Sequence, residues 1–434
     1  MLPPVFSRWA PLLLSVAHVF AVTPTITAVG SKFFTSDGDQ FYIKGIAYQL
    51  VSTDPLVDTD QCKRDAKQMQ DLGANAIRVY HVDPAGDHRG CMAAFADAGI
   101  YLFVDLDDFP TQIQPDSPAW NQSQLAAFSA VMDEFQKYDN TALFFVGNEV
   151  LTIAEVSNAA PYVKAAVRDM KAYRDSKNYR KIPIGYSAAD VPGLRPMLQN
   201  YLACGDNDAE RAEFYSLNVY EWCGDSSYDG SGYAELQKNA TGYNIPLFVS
   251  ETGCRISKPR LFSDQAAILG PKMADTWSGT IVYEWIEEEN DYGLISYGPK
   301  VDPMVSTAAL DGFPRSGTPM TVSPDYGNLK SQWATLSPTG VKLSDYTASA
   351  SISPPACPTS TPGGWIVNGN AALPSVGQTL DSAATASGGT PTSTGSASKP
   401  SASPTGGGTT AGGKEVTGMC LGLLGVMLGF VVWL

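Results

Sequence analysis

Eight short apolar runs, rich in β-branched and aromatic residues, recur at 41–47, 76–80, 100–105, 142–146, 182–186, 214–220, 246–250 and 280–285. Segments with helical periodicity separate them. Strands that alternate with helices pair in parallel, because each helical crossover returns the chain to the same end of the sheet. Eight such units suit a closed (β/α)₈ barrel, and this α/β barrel is the fold expected for residues 23–335. The stretch 60–72 shows the helical half. Cys62, Ala66, Met69 and Leu72 recur at spacings of three and four among Lys, Arg, Asp and Gln, and Gly73 follows as a stop. An open doubly wound sheet is the competing arrangement, but the globular part carries no G-x-G-x-x-G or Walker motif to mark its phosphate turn.

A barrel of this kind works at the C-terminal ends of its strands. The polar residues there are Tyr48 and Gln49 after the first run, Tyr80 and His81 after the second, Asp105 after the third, and Asn148 and Glu149 after the fourth. Tyr186 to Asp190 follow the fifth, Tyr220 and Glu221 the sixth and Glu251 the seventh, while Tyr283 to Trp285 close the eighth. Composition narrows the chemistry. Three histidines in 434 residues leave little material for a histidine metal site or a histidine-centred triad, so catalysis should rest on carboxylates, with no cofactor and no metal. A net charge of −15 argues against nucleic acid as partner and leaves a neutral polymer acceptable.

The two ends read as addresses. Arg8 and the apolar stretch 9–22 form a signal peptide over 1–22, which would place the chain outside the cytoplasm. Residues 419–434 are apolar but short for a membrane span, and they follow a small-residue site and a polar spacer. That order predicts a GPI-anchor propeptide at 409–434, removed from a protein held on the outer face of the plasma membrane or passed to the wall. Between them lies an expected Ser/Thr/Gly/Pro-rich linker at 361–408, preceded by a tail at 336–360. Residues 381–413 contain no Val, Ile, Leu or aromatic residue and cannot bury enough apolar area to fold. Six cysteines outside the propeptide, an even number without a C-x-x-C pair, suit disulfides in an oxidising compartment, with 15 possible connectivities. Asn121 and Asn239 begin glycosylation sequons.

Glu149 and Glu251 each stand directly after an apolar strand. A carboxylate there is costly without partners, and two of them are the equipment of glycoside hydrolysis: one carboxyl protonates the leaving oxygen and the other attacks the anomeric carbon. Seven blocks then carry a resemblance. They are Lys44-Gly45-Ile46-Ala47-Tyr48-Gln49, Arg78-Val79-Tyr80, Gly147-Asn148-Glu149-Val150, Tyr186-Ser187-Ala188-Ala189-Asp190, Val249-Ser250-Glu251-Thr252-Gly253-Cys254, Tyr283-Glu284-Trp285 and Asn290-Asp291-Tyr292-Gly293-Leu294. In this order they resemble the fungal GPI-anchored β-1,3-glucanosyltransferases of glycoside hydrolase family 72.

That resemblance implies Glu149 as general acid/base and Glu251 as nucleophile of a retaining enzyme. The enzyme would cut a β-1,3-glucan donor, hold it covalently and pass it to the 3-hydroxyl of a second β-1,3-glucan. It implies Tyr80, Asn148, Asp190, Arg195 and Tyr283 as residues of the sugar subsites, with Gln49, Asp105 and Tyr220 as further candidates. The pattern of the family also implies disulfides Cys62–Cys91, Cys204–Cys357 and Cys223–Cys254, the last fixing the loop of the nucleophile. The chain departs from many relatives in lacking a cysteine-rich glucan-binding module after the barrel, and a monomer is expected. A plain β-glucan hydrolase would use the same two glutamates, and a non-catalytic wall adhesin would need neither.

Overall fold

The computed structural model describes residues 23–304, 311–346 and 352–380. The expected signal peptide, the proposed anchor propeptide and residues 381–408 of the expected linker lie outside the described residues. A closed barrel of eight parallel strands forms the centre: β1 (Ile43–Ala47), β2 (Ala76–Val79), β3 (Tyr101–Asp105), β4 (Thr141–Asn148), β5 (Ile184–Ala189), β6 (Phe214–Asn218), β7 (Leu247–Thr252) and β8 (Trp277–Val282), with β8 pairing back onto β1. Each strand overlaps one of the eight apolar runs. Among the described residues, no helix is long and apolar enough to cross a membrane.

Alternation along the strands divides two cores. Ile46, Ile77, Val79, Leu102, Val104, Phe144, Val146, Ile184, Leu217 and Val249 face outward and pack under the helices. Residues of the opposite phase, including Ile43, Ala76, Phe103, Phe145, Phe214, Phe248 and Ile281, fill the barrel. The rings of Phe103, Phe145, Phe214 and Phe248 meet with centroids 5.0–6.2 Å apart. A hairpin that the periodicity did not reveal, Ile26–Val29 with Lys32–Thr35, closes the lower end. Its Phe33 ring lies 6.3 and 6.1 Å from Phe214 and Phe248. The lower half of the barrel is thus an apolar plug, and polar inward residues are confined to the C-terminal end of the strands.

Helix α1 (Thr59–Leu72) buries Cys62, Ala66, Met69 and Leu72 on one face. Asp58 caps its start, accepting from the backbone N–H groups of Asp60 and Gln61 at 3.1 and 3.0 Å. Gly73 stops it in the left-handed conformation at φ 91°, which glycine adopts without a Cβ clash. Sequon residue Asn121 caps helix α2 (Gln122–Phe135) with a reciprocal capping box, and sequon residue Asn239 sits in the last turn of helix α3 (Tyr233–Ala240). After the barrel, helix α4 (Asp325–Thr335) is tied down by Arg260. Its Nε donates to Asp325 Oδ2 at 2.7 Å and its Nη2 to the Gly293 carbonyl at 3.1 Å, both pairs buried.

Disulfides join Cys62 to Cys91, Cys204 to Cys357 and Cys223 to Cys254. The linker expected from 361 must start later. Trp365 is 1% exposed against Tyr201, the Ile366 N–H donates to Ser157 Oγ at 3.1 Å, Arg168 donates to the Pro374 carbonyl at 2.8 Å, and the Leu380 N–H donates to the Tyr162 hydroxyl at 2.8 Å. The reason is compositional. Trp365, Ile366, Val367, Leu373, Val376 and Leu380 supply apolar area that the stretch after residue 380 lacks.

Candidate active site

Arg78 occupies an inward position of β2, fully buried, with its guanidinium stacked 4.3 Å over the Phe145 ring at the top of the apolar plug. A cation there must be matched. Nε and Nη2 donate to the two oxygens of Asp105 at 3.0 and 2.8 Å, Nη1 donates to Ser187 Oγ at 3.1 Å and Glu251 Oε1 at 3.4 Å, and Nη2 also donates to Asn148 Oδ1 at 3.1 Å. All five N–H groups are used. Burial alone would lower its pKa, but the charge of Asp105, with Glu251 behind it, outweighs that and raises it.

Glu251, at the end of β7, is 7% exposed. Beside Arg78, its Oε1 accepts from the Tyr80 hydroxyl at 2.9 Å and its Oε2 from the Tyr220 hydroxyl at 2.8 Å. Burial and the nearby Glu251 charge raise both phenol pKa values, so each tyrosine stays a donor. Gly253, two residues on, has φ 125°, and a Cβ there would lie 2.8 Å from the Tyr283 carbonyl, which accounts for the glycine of the Glu251-Thr252-Gly253 block. Burial pushes the Glu251 carboxyl up to about 7, and Glu149 adds to this, while Arg78 and the two hydroxyls oppose it.

A raised carboxyl holds its proton in the folded state after the unfolded chain has released it. The stability this confers is therefore full below the unfolded value of 4.5 and is lost as pH rises through about 7. Glu251→Gln has no such proton to lose. The difference in melting temperature, variant minus parent, is expected to grow between pH 4 and pH 8, and a difference independent of pH in differential scanning calorimetry would contradict it.

Glu149 follows β4 with φ 50°, a left-handed conformation unusual for a side-chain-bearing residue. Its N–H donates to the Ser187 carbonyl at 2.9 Å and its Oε1 accepts from Asn218 Nδ2 at 2.9 Å. Asn148, beside it, has its Oδ1 occupied by both Arg78 and Asn218, the latter at 3.1 Å, which leaves the Nδ2 donors for a ligand. The two glutamates thus belong to one hydrogen-bonded network: Glu251 to Arg78, Arg78 to Asn148, Asn148 to Asn218, and Asn218 to Glu149. A wall of edge-to-face tyrosines stands beside it, Tyr80 with Tyr283, Tyr283 with Tyr292 and Tyr292 with Tyr220, at centroid distances of 6.5, 5.4 and 5.8 Å. Such faces stack on pyranose rings.

Other expected subsite residues have different surroundings. Gln49 spends its whole amide on the backbone: Oε1 accepts from the N–H groups of Tyr80 and His81 at 2.9 and 3.1 Å, and Nε2 donates to the carbonyls of Val51 and His81 at 2.7 and 3.3 Å. With no hydrogen-bonding capacity left for a sugar, Gln49 sets the position of Tyr80 instead. Asp105 is 2% exposed and serves as the bidentate partner of Arg78. Asp190 and Arg195 form a buried ion pair with each other after β5, and Arg195 reaches Glu221 at 3.5 Å. They hold that loop rather than joining the Arg78 network. His88 lies buried between Asp54 and Glu134, at 2.8 and 3.2 Å.

Arg78, Ser187, Asn218, Ser250 and Tyr292 are members of the site to which the sequence assigned no role, although all but Asn218 stand in the seven blocks. The signal for most of them was period-two alternation, since Phe214, Ser216 and Asn218 share one phase of β6 and lead directly to Tyr220.

The model of the glucanosyltransferase family, glycoside hydrolase family 72, matches residues 15–307. The chain belongs to this glucanosyltransferase family. The 1,3-β-glucanosyltransferase gas2 of Schizosaccharomyces pombe is 41% identical over 381 residues, covering 84% of this chain and 79% of that protein. The pH-responsive protein 2 of Candida albicans is 42% identical over 367 residues, 82% of this chain and 64% of its own length, so the chain is shorter than several family members it matches. Among solved structures, Saccharomyces cerevisiae Gas2p in complex with laminaritetraose and laminaripentaose superposes with a TM-score of 0.72 at 39% identity, covering 81% of this chain and 74% of that one. The blocks that carry Glu149 and Glu251 both lie inside the matched region.

Proposed function

We infer that the chain is a retaining β-1,3-glucanosyltransferase. The observation that carries the reading is the union of Glu149 and Glu251 in a single buried network at the mouth of a barrel of this family. Retaining chemistry needs two carboxyls with different tasks, and their surroundings differ in that sense. Glu251 is held from both sides by hydroxyls and a guanidinium, an arrangement that fixes its oxygens for attack on an anomeric carbon. Glu149 is less buried and keeps Oε2 without a hydrogen bond among the described residues, as a group that gives and takes a proton must.

In the first step Glu251 forms a bond to the anomeric carbon while Glu149 protonates the departing glycosidic oxygen. In the second, Glu149 takes the proton of an incoming 3-hydroxyl, whose oxygen displaces Glu251. Asn148 Nδ2 is positioned to donate to the 2-hydroxyl of the reacting sugar, and the Tyr80, Tyr220, Tyr283 and Tyr292 wall supplies stacking faces. The laminari-oligosaccharides bound to Gas2p support β-1,3-glucan as both donor and acceptor here. We also propose that residues 381–434 act as stalk and GPI signal, presenting the barrel at the outer face of the plasma membrane.

Mass spectrometry of products from reduced β-1,3-gluco-oligosaccharides, using protein that keeps residues 23–380, tests this reading. Products both shorter and longer than the substrate are expected. Shorter products alone would make the chain a hydrolase, and an unchanged substrate with folded protein would reject the reading.

A further inference from the structure

Asn218 is where the two halves of the network meet, and nothing in the retaining scheme yet gives it a task. It stands at the end of β6, 3% exposed. Its Oδ1 accepts from the Ser187 and Ser250 hydroxyls at 3.0 and 2.8 Å. Asn148 Oδ1, committed as an acceptor by the donor-only Arg78 guanidinium, faces the other side of the amide, so Nδ2 must point there. There it donates to Asn148 Oδ1 at 3.1 Å and Glu149 Oε1 at 2.9 Å. The side chain has no unused hydrogen-bonding position in its plane.

An amide N–H can only donate. While this bond exists, Glu149 Oε1 must act as an acceptor, and the proton of the neutral carboxyl is confined to Oε2. Turning the amide over to present its oxygen to Glu149 would also set that oxygen against Asn148 Oδ1, which Arg78 Nη2 keeps as an acceptor, so the amide is held in one orientation.

We propose that Asn218 is a positioning residue for proton transfer: it holds the Glu149 proton on Oε2 and stabilises the carboxylate left after that proton departs. The proposal rests on the acid/base assignment of Glu149. In the first half-reaction the Oε2 proton passes to the glycosidic oxygen as the bond from the anomeric carbon to that oxygen breaks, its electron pair staying on the oxygen, and Glu251 closes on the carbon. Asn218 then faces a newly ionised Glu149. In the second, Oε2 takes the acceptor hydroxyl proton as that oxygen bonds to the carbon, and Glu251 leaves with the electron pair of its ester bond. Oε1 keeps the same donor throughout, so one oxygen is the proton carrier in both directions.

The test compares two donors of equal length, an ordinary β-1,3-gluco-oligosaccharide and its activated glycosyl fluoride, whose leaving group needs little protonation. Two variants are measured. Asn218→Ala removes the amide, and Asn218→Asp keeps an acceptor for Ser187 and Ser250 while removing the N–H. Both are expected to lose about 10- to 100-fold in kcat/KM on the ordinary donor but less than about threefold in fluoride release from the activated one. Equal losses on the two donors would show a structural role, and no loss on either would show none; both overturn the proposal. If Glu149→Gln, run alongside, lost as much on the fluoride as on the ordinary donor, the acid/base assignment itself would fail, and Asn218 with it. That result is distinct because it appears in the Glu149 variant first.

Discussion

Glu251→Gln is expected to abolish transfer, with turnover on β-1,3-gluco-oligosaccharides falling by about 10⁴-fold or more while the barrel stays folded. The size of the effect follows from the place of the residue. Its two oxygens meet three donors, Arg78 in β2 and Tyr80 directly after it, and Tyr220 just beyond β6, so the carboxylate is held rather than merely present. The amide of glutamine keeps the shape but has no nucleophilic oxygen to offer. The change also brings an N–H₂ group against a hydroxyl or guanidinium that had been donating, a mismatch confined to the rim. The decisive measurement is rapid quenching with a glycosyl fluoride followed by peptide mass spectrometry. The parent should carry a sugar on the peptide that contains residue 251, and the variant should carry none. A labelled peptide from the variant would move the nucleophile elsewhere.

Glu251 and Glu149 were legible because an apolar strand ending in a carboxylate is a local pattern, visible in five or six consecutive residues. The eight strands were legible for the same reason, and the observed boundaries fall within three residues of the expected ones. Arg78 was harder. Within Ala76-Ile77-Arg78-Val79 it reads as one charge in a strand, and only the closed barrel brings Asp105, Asn148, Ser187 and Glu251 around it from four other strands. Gln49 went the other way: its position beside Tyr48 at a strand end suggests a ligand contact, while three of its four hydrogen bonds run to backbone that is distant in sequence. The hairpin under the barrel was missed because its value lies in Phe33 meeting Phe214 and Phe248, about 180 and 215 residues away, a contact that no local period encodes. Residues 361–380 mix Pro and Gly with Trp365, Ile366 and Val367, and composition averaged over a longer stretch hid the apolar part.

Arg78→Leu should have a comparably large effect on stability, with a cost of about 3–5 kcal/mol in urea unfolding, because it leaves the Asp105 carboxylate buried without its cation. Activity should disappear as well, but loss of activity in a destabilised variant says little about mechanism. The double variant Arg78→Leu with Asp105→Leu separates the two. Replacing both members of a buried ion pair by apolar residues is often close to neutral, so most of the lost stability should return. Turnover should not return. Glu251 Oε1 would still lack the donor at 3.4 Å and Asn148 Oδ1 the donor at 3.1 Å, so the nucleophile would lose its cation and the Asn148 amide one of the two bonds that orient it. A double variant that recovered both stability and turnover would show that Arg78 serves only to neutralise Asp105. A double variant that recovered stability alone would place the Arg78–Asp105 pair in the catalytic arrangement, through the donors that Arg78 offers to Glu251, Asn148 and Ser187.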